Sequence, residues 1–150
     1  MYFVIMKPQK WNKLDYIFEG YLDPVYIGLD YCDVFYIAGQ GYAVLNHRPK
    51  YALYQRMNIP EIQDVFVLPN ARGKGVATAL ITYCEQHCQG DMIGISVPVS
   101  PKFGAAQRLY SKLGYQPDGN GVTYDREPVS HDSRVKLDET LCLMMIKDLR

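Results

Sequence analysis

At 150 residues the chain is long enough for one folded domain that takes roughly two-thirds of its unfolded surface out of water. Its 48% hydrophobic and 21% charged residues are ordinary for a soluble globular protein, and sixteen basic residues against sixteen acidic ones create no field that draws it to nucleic acid or an anionic membrane. No apolar run approaches the ~18 residues of a membrane helix, and the apolar stretch Tyr2–Met6 is cut off by Lys7-Pro8 before it can be a secretory signal.

Tyr2–Lys7 reads as a first strand, and Trp11–Tyr21 as an amphipathic helix ended by Gly20 and Pro24. The segment from Asp23 to Asp33 is ambiguous. Its Tyr26 and Tyr31 suit either a substrate entrance or, better, packing at a rim. Val34–Ala38 and Gly41–Asn46 form a hairpin turned at Ala38-Gly39-Gln40-Gly41, and the polar stretch from His47 to Asn58 is a loop or short helix. Ile59–Leu68 is a strand, Gly73–Gln89 the main helix with Gly90 as its stop, and Met92–Val97 the next strand. A short helix from Ala105 to Leu113 closes at Gly114. The Pro-, Gly- and Asp-rich region from Gln116 to Lys136 holds a short strand near Val122–Tyr124 and a mobile loop, and Leu141–Leu149 is the last strand. The order of elements gives an α/β class with a mixed sheet flanked by helices, and no repeat or linker divides it.

The chain is organised around Val65–Leu68 and the turn and helix that come after it. An apolar strand is stopped by Pro69-Asn70, and Arg72-Gly73-Lys74-Gly75 leads straight into a helix whose Val76, Ala77, Leu80, Ile81 and Cys84 share one face. The first turn of a helix has unpartnered N–H groups and about half a positive charge. Glycines let a phosphate approach the backbone, and Arg72 and Lys74 add full charges beside it. The P-loop pattern fails because Gly75 follows Lys74 and no glycine stands five residues before Gly73-Lys74. The dinucleotide fingerprint fits poorly because its third glycine position is Thr78.

Arg72, Gly75 and Ala77 match the Gln/Arg-x-x-Gly-x-Gly/Ala signature, and this stretch resembles the GNAT superfamily of acetyl-CoA-dependent N-acetyltransferases, in particular single-domain bacterial members. The segment from Ala106 to Tyr115 is similar to the second GNAT motif, a short helix closed by glycine and an aromatic residue. The resemblance covers the chain from about Gly41 onward. It implies a sheet splayed between the strands near 59–68 and 92–97, which would be parallel neighbours, with the pantetheine arm of acetyl-CoA in the gap. It implies that the turn Arg72, Gly73, Lys74, Gly75, Val76, Ala77 and Thr78 holds the pyrophosphate, and that backbone groups of Val65, Phe66 and Val67 meet the pantetheine. Without it, those three residues are simply a strand core.

Acetyl transfer to an amine requires a held cofactor, a neutral amine, a stabilised oxyanion and a proton for the leaving thiolate. By the resemblance, Tyr110 is the proton donor; the plain alternative is a core tyrosine, one of thirteen, whose hydroxyl is satisfied internally. Glu61 is the favoured base for the incoming amine, against a solvated or ion-paired carboxylate. Asp64, three residues on along a regular strand, would face the other side. Many relatives carry an Asn seven residues before the tyrosine, but here that position is Phe103, which cannot make the Asn hydrogen bond.

Cys84 and Cys88 flank His87 without further ligands at metal spacing, so no metal is expected. With Cys32 and Cys142 they read as reduced thiols of a cytoplasmic protein. His47 and His131 fall in loops. The acceptor would be a small-molecule or peptide amine, with no nucleic acid or membrane partner, and a homodimer is open. The chain thus admits three readings: an N-acetyltransferase, a non-catalytic acyl-CoA-binding module on the same fold, or a transferase using another acyl donor.

Overall fold

The computed structural model describes residues 7–11 and 21–150. The strand expected at Tyr2–Lys7 and the helix expected at Trp11–Tyr21 lie almost wholly outside the described residues. The chain divides into two units. One takes in the described residues up to Arg48 together with Ile62–Cys88, and the other Pro49–Glu61 with Gln89–Arg150.

In the first unit, β1 (Gln9–Lys10) pairs antiparallel with β2 (Cys32–Ile37), and β2 with β3 (Gly41–Asn46), Val34 lying opposite Val44 and Ile37 opposite Gly41. The three-residue connection turns at Gly39, whose φ of 71° is one that glycine adopts without strain. Every residue of β3 is buried, which explains its unbroken apolar run. The short α1 (Val25–Gly28) precedes this hairpin and resolves the ambiguous segment. Tyr26 and Tyr31 are half-buried against a cluster of Trp11, Leu22, Val34, Tyr36, Tyr42 and Val44. They are packing aromatics.

The main helix packs on β2 and β3. It buries Val76, Leu80, Ile81 and Cys84, the face that the 3.6-residue spacing selects, while Ala77 is half-buried. Each fully buried aliphatic side chain is worth about 1.5–3 kcal/mol. The helix is shorter than Gly73–Gln89: it runs Val76–Gln86 and ends at His87, because residues 72–75 are used for the turn.

The strand β4 (Glu61–Val67) starts in the second unit and continues into the first. There it lies beside β3, and Gly41 sits so close that an added Cβ would collide with the Phe66 carbonyl. Asp64 has φ 57°, which interrupts the strand's regular alternation. The expectation that Glu61 and Asp64 face opposite sides assumed a regular strand, and this strand is not regular there.

The second unit contains α2 (Ala52–Met57), β5 (Met92–Pro98), α4 (Gly104–Lys112), β6 (Gln116–Tyr124), β7 (Glu127–Pro128) and β8 (Leu141–Asp148). Its strands are ordered β5-β8-β6-β7 and every pair is antiparallel. The main helix of the first unit is therefore α3. The run-in to β4 joins here: Gly94 N–H donates to the Pro60 carbonyl at 2.8 Å. β6 is longer than the expected Val122–Tyr124, because a register shift between Pro117 and Val122, with Gly119 and Gly121 at positive φ, lets a Gly- and Pro-containing segment remain a strand. Tyr51, Tyr54, Ile59, Cys142 and Met144 form the core. The Tyr54 hydroxyl donates to the Met145 carbonyl at 2.5 Å, and a Cβ on Gly94 would lie 2.5 Å from the Tyr54 ring. The elements give the expected mixed α/β class.

Candidate active site

The turn between β4 and α3 is built by a 3-10 turn at Pro69–Ala71 and two left-handed glycines, Gly73 at φ 73° and Gly75 at φ 86°. Arg72, Gly73, Lys74 and Gly75 are all exposed. Gly75 is the N-cap of α3, no side chain caps the helix, and no acidic residue stands in its first turn. Its leading amides, those of Val76, Ala77 and Thr78, have no intrahelical acceptor, so the end presents oriented donors with the positive pole of the helix behind them. A Cβ on Gly73 would meet nothing within 4 Å, so this glycine is required for its backbone angle, while the space over it stays open.

The two cations fold back onto the turn. Arg72 Nε donates to the Val67 carbonyl at 3.0 Å, with its guanidinium 5.8 Å from the Phe66 ring, and Lys74 Nζ donates to the Asn70 carbonyl at 3.2 Å. Both charges are thereby fixed beside the helix end. Val65, Phe66 and Val67 are half-buried, and the Val67 carbonyl is already engaged by Arg72. Phe66 stacks on Tyr21 at 4.7 Å. Tyr42 donates to Asp64 Oδ2 at 3.4 Å. Burial pushes the Asp64 carboxyl up despite that hydrogen bond, an effect that solvent screens because the residue is exposed.

Glu61 lies in the second unit and is 0% exposed. Of the two plain alternatives for it, a solvated or an ion-paired carboxylate, the structure has the ion pair. Arg126 Nη2 donates to Glu61 Oε2 at 2.8 Å, and Ser96 Oγ donates to the same oxygen at 3.3 Å. Arg126 Nη2 also donates to Ser96 Oγ at 3.1 Å. The other carboxylate oxygen, Oε1, is buried and has no hydrogen-bond partner among the described residues. Neither Arg126 nor Ser96 was legible as a site residue, since nothing in the local sequence links three positions so far apart.

Tyr110 is on α4, 7% exposed. Desolvation pushes its phenol up to about 12. It packs near Tyr115, with ring centroids 6.4 Å apart, and its hydroxyl makes no hydrogen bond among the described residues. That differs from a core tyrosine with a satisfied hydroxyl. On the same helix, Gln107 Nε2 donates to the Pro98 carbonyl at 2.8 Å and ties α4 to the end of β5. Gln107 and Ser111 line a cleft of about 180 Å³ over Val97, Leu143 and Met145. Phe103 stands at the N-cap position of α4, half-buried, with Lys102 Nζ 5.8 Å from its ring.

Of the histidines, His47 Nε2 is 2.9 Å from Asp33 Oδ2, His87 is exposed with Nδ1 2.8 Å from the Tyr83 carbonyl, and His131 is exposed beside Asp132. The four cysteines are thiols. Among the described residues, no group of three or more His, Cys, Asp or Glu is placed to hold a metal ion, and no helix is long and apolar enough to cross a membrane.

The strand, glycine turn and uncapped helix belong to a stretch, residues 31–117, that matches the family model of the Acetyltransferase (GNAT) domain. The chain belongs to the GNAT acetyltransferase family. Solved structures share the GNAT fold. An IAA acetyltransferase from Bacillus cereus superposes with TM-score 0.63 at 16% identity, over 95% of this chain and 98% of that one. A spermidine N-acetyltransferase chimera from Vibrio cholerae gives TM-score 0.57 at 16% identity, over 83% and 71%. The yncA protein of Salmonella typhimurium, solved with its cofactor acetyl-CoA, gives 0.53 at 19% identity, over 79% and 64%. At these identities the likeness is one of fold. No curated protein matches this GNAT chain by sequence.

Proposed function

We propose that this GNAT protein is an N-acetyltransferase that moves the acetyl group of acetyl-CoA to a primary amine, of a small molecule or of a peptide or protein, by direct attack in a ternary complex within a single catalytic domain. The observation that carries the reading is the start of α3: an exposed turn with two left-handed glycines, two cations and no side-chain cap, which fits a diphosphate. The family match supports the cosubstrate, and the fold neighbour solved with acetyl-CoA supports it further.

In this reading Arg72, Gly73, Lys74, Gly75, Val76, Ala77 and Thr78 hold the pyrophosphate through backbone amides and the two flanking charges. Backbone groups of Val65, Phe66 and Val67 meet the pantetheine. Bound acetyl-CoA supplies the activated thioester. Tyr110 keeps its proton across the physiological range, and its hydroxyl, with no hydrogen bond among the described residues, is available to give that proton to departing sulfur. Glu61 accepts the amine's proton. Because Glu61 is sealed from solvent, it does so through an intervening proton carrier, and Oε1, with no partner among the described residues, is the acceptor atom.

The test has two arms. Gly75→Asp places a negative side chain at the diphosphate and should abolish coenzyme A binding in calorimetry; unchanged affinity in a folded variant removes the site from this turn. The wild-type chain is then given acetyl-CoA and an amine panel, with thiol release as the signal. The panel includes simple alkylamines, peptides with free N-termini and spermidine, the last because a fold neighbour is a spermidine N-acetyltransferase. Coenzyme A binding without turnover on any amine would mark the chain as a binding module instead.

A further inference from the structure

The Glu61 cluster contains a residue that the proposed reaction does not use. Arg126 is one of two residues forming the tip of the β6–β7 hairpin, where Tyr124 pairs with Glu127. Both tip residues are left-handed, Asp125 at φ 51° and Arg126 at φ 65°. A tight hairpin of this kind normally places Asn and Gly there, because an L side chain is strained at such angles. Here the strained position carries a long cation, and its guanidinium is turned inward to a carboxylate that is 0% exposed. Asp125 fixes the tip from the other side: its carboxylate accepts from Lys50 Nζ at 3.0 Å, and its N–H donates to the Thr140 carbonyl at 3.3 Å.

Glu61 sits in a confined setting. Arg126 comes from the hairpin tip and Ser96 from β5, both on Oε2. Among the described residues, Tyr54 of α2 and Cys142 of β8 also interact with it electrostatically, and burial raises both, so neither supplies a charge at neutral pH. Arg126 is therefore the one positive charge described against this carboxylate, and a buried carboxylate without a countercharge takes up a proton.

We propose that Arg126 is a positioning residue for acetyl transfer: from the strained hairpin tip it keeps the buried Glu61 ionised and occupies Oε2, so that Oε1 alone is left to receive the amine's proton. This rests on the assignment of Glu61 as base. It makes the hairpin tip part of the proton path although Arg126 itself touches no reacting atom.

The experiment uses the full chain with Arg126→Gln, Arg126→Lys, Glu61→Gln and the Glu61→Gln/Arg126→Gln pair. Infrared spectra near neutral pD need no ligand. Arg126→Gln should gain a protonated-carboxyl band that the wild type and the double variant lack; no new band overturns the proposal. Turnover is then followed against pH, with acetyl-CoA and the best amine of the panel. Arg126→Gln should lose about a hundredfold in kcat at neutral pH and recover most of it at alkaline pH, while Arg126→Lys keeps most activity throughout. An equal loss at every pH with a raised KM for the amine would make Arg126 a substrate-binding residue and overturn the positioning role. If Arg126→Gln melts below assay temperature, the pH profile of Arg126→Lys decides: a profile like the wild type supports the role, and a profile losing activity equally at all pH overturns it. The underlying assignment is read separately, since full activity in Glu61→Gln removes the base. An inactive Glu61→Gln beside a fully active Arg126→Gln removes only the role of Arg126.

Discussion

Tyr110 illustrates how burial sets the protonation of a single group. A phenol loses hydration when it is enclosed, so Tyr110 holds its proton up to about 12. If it donates to the leaving sulfur, Tyr110→Phe should lower kcat by about tenfold or more while the KM for acetyl-CoA changes little. Steady-state kinetics on the two forms check this, and equal kcat returns Tyr110 to packing. The direction of the pH effect is fixed as well. The donor form exists below the folded-state value and is lost as pH rises through it, so Tyr110 should impose no fall in kcat between pH 7 and 10.

At the scale of elements, the packing of α2 on β5 depends on a missing side chain. Gly94 lies under the Tyr54 ring, and an added Cβ would come within 2.5 Å of it. Gly94→Ala should therefore cost about 1–3 kcal/mol, as overpacked cores do, read as a lowered denaturation midpoint with an unchanged slope. None of this is legible in the sequence, because a glycine inside an apolar strand does not reveal which ring will cover it. Local pattern did place the hairpin at Val34–Ala38 and Gly41–Asn46, the buried face of α3, and the order strand, turn, helix between Ile59 and Gln89, since each is specified by residues within one or two turns of each other. The start of α3 was misplaced because Gly73 and Gly75 permit a helix but adopt left-handed angles instead. β6 was shortened because Gly119 and Gly121 read as loop, and a bulge absorbs them. The Glu61–Ser96–Arg126 cluster was invisible for a different reason: its members are 35 and 30 residues apart, and only the tertiary structure joins them.

For the molecule as a whole, enclosed phenols and thiols dominate the response to alkali. Burial raises Tyr42, Tyr51, Tyr54 and Tyr110, and also Cys32, Cys84 and Cys142. Above the ordinary range of these groups the unfolded chain has released protons that the native chain retains. The unfolded state then binds fewer protons, so stability falls as pH rises. Denaturation midpoints should decline from about pH 8.5 upward and steepen beyond pH 10; a flat profile to pH 11 would contradict the burial of these groups.

The start of α3 also bears on how the fold withstands heat. Since no side chain among the described residues closes that helix, an oxyanion binding there, as the proposed function requires, would complete it and make the resilience of the first unit a function of what is dissolved around it. Inorganic pyrophosphate at a hundred times its dissociation constant would add about 2.7 kcal/mol, visible as a dose-dependent rise in melting temperature that Gly75→Asp should erase. A cell rich in such metabolites would thus hold the protein in a sturdier state than a starved one.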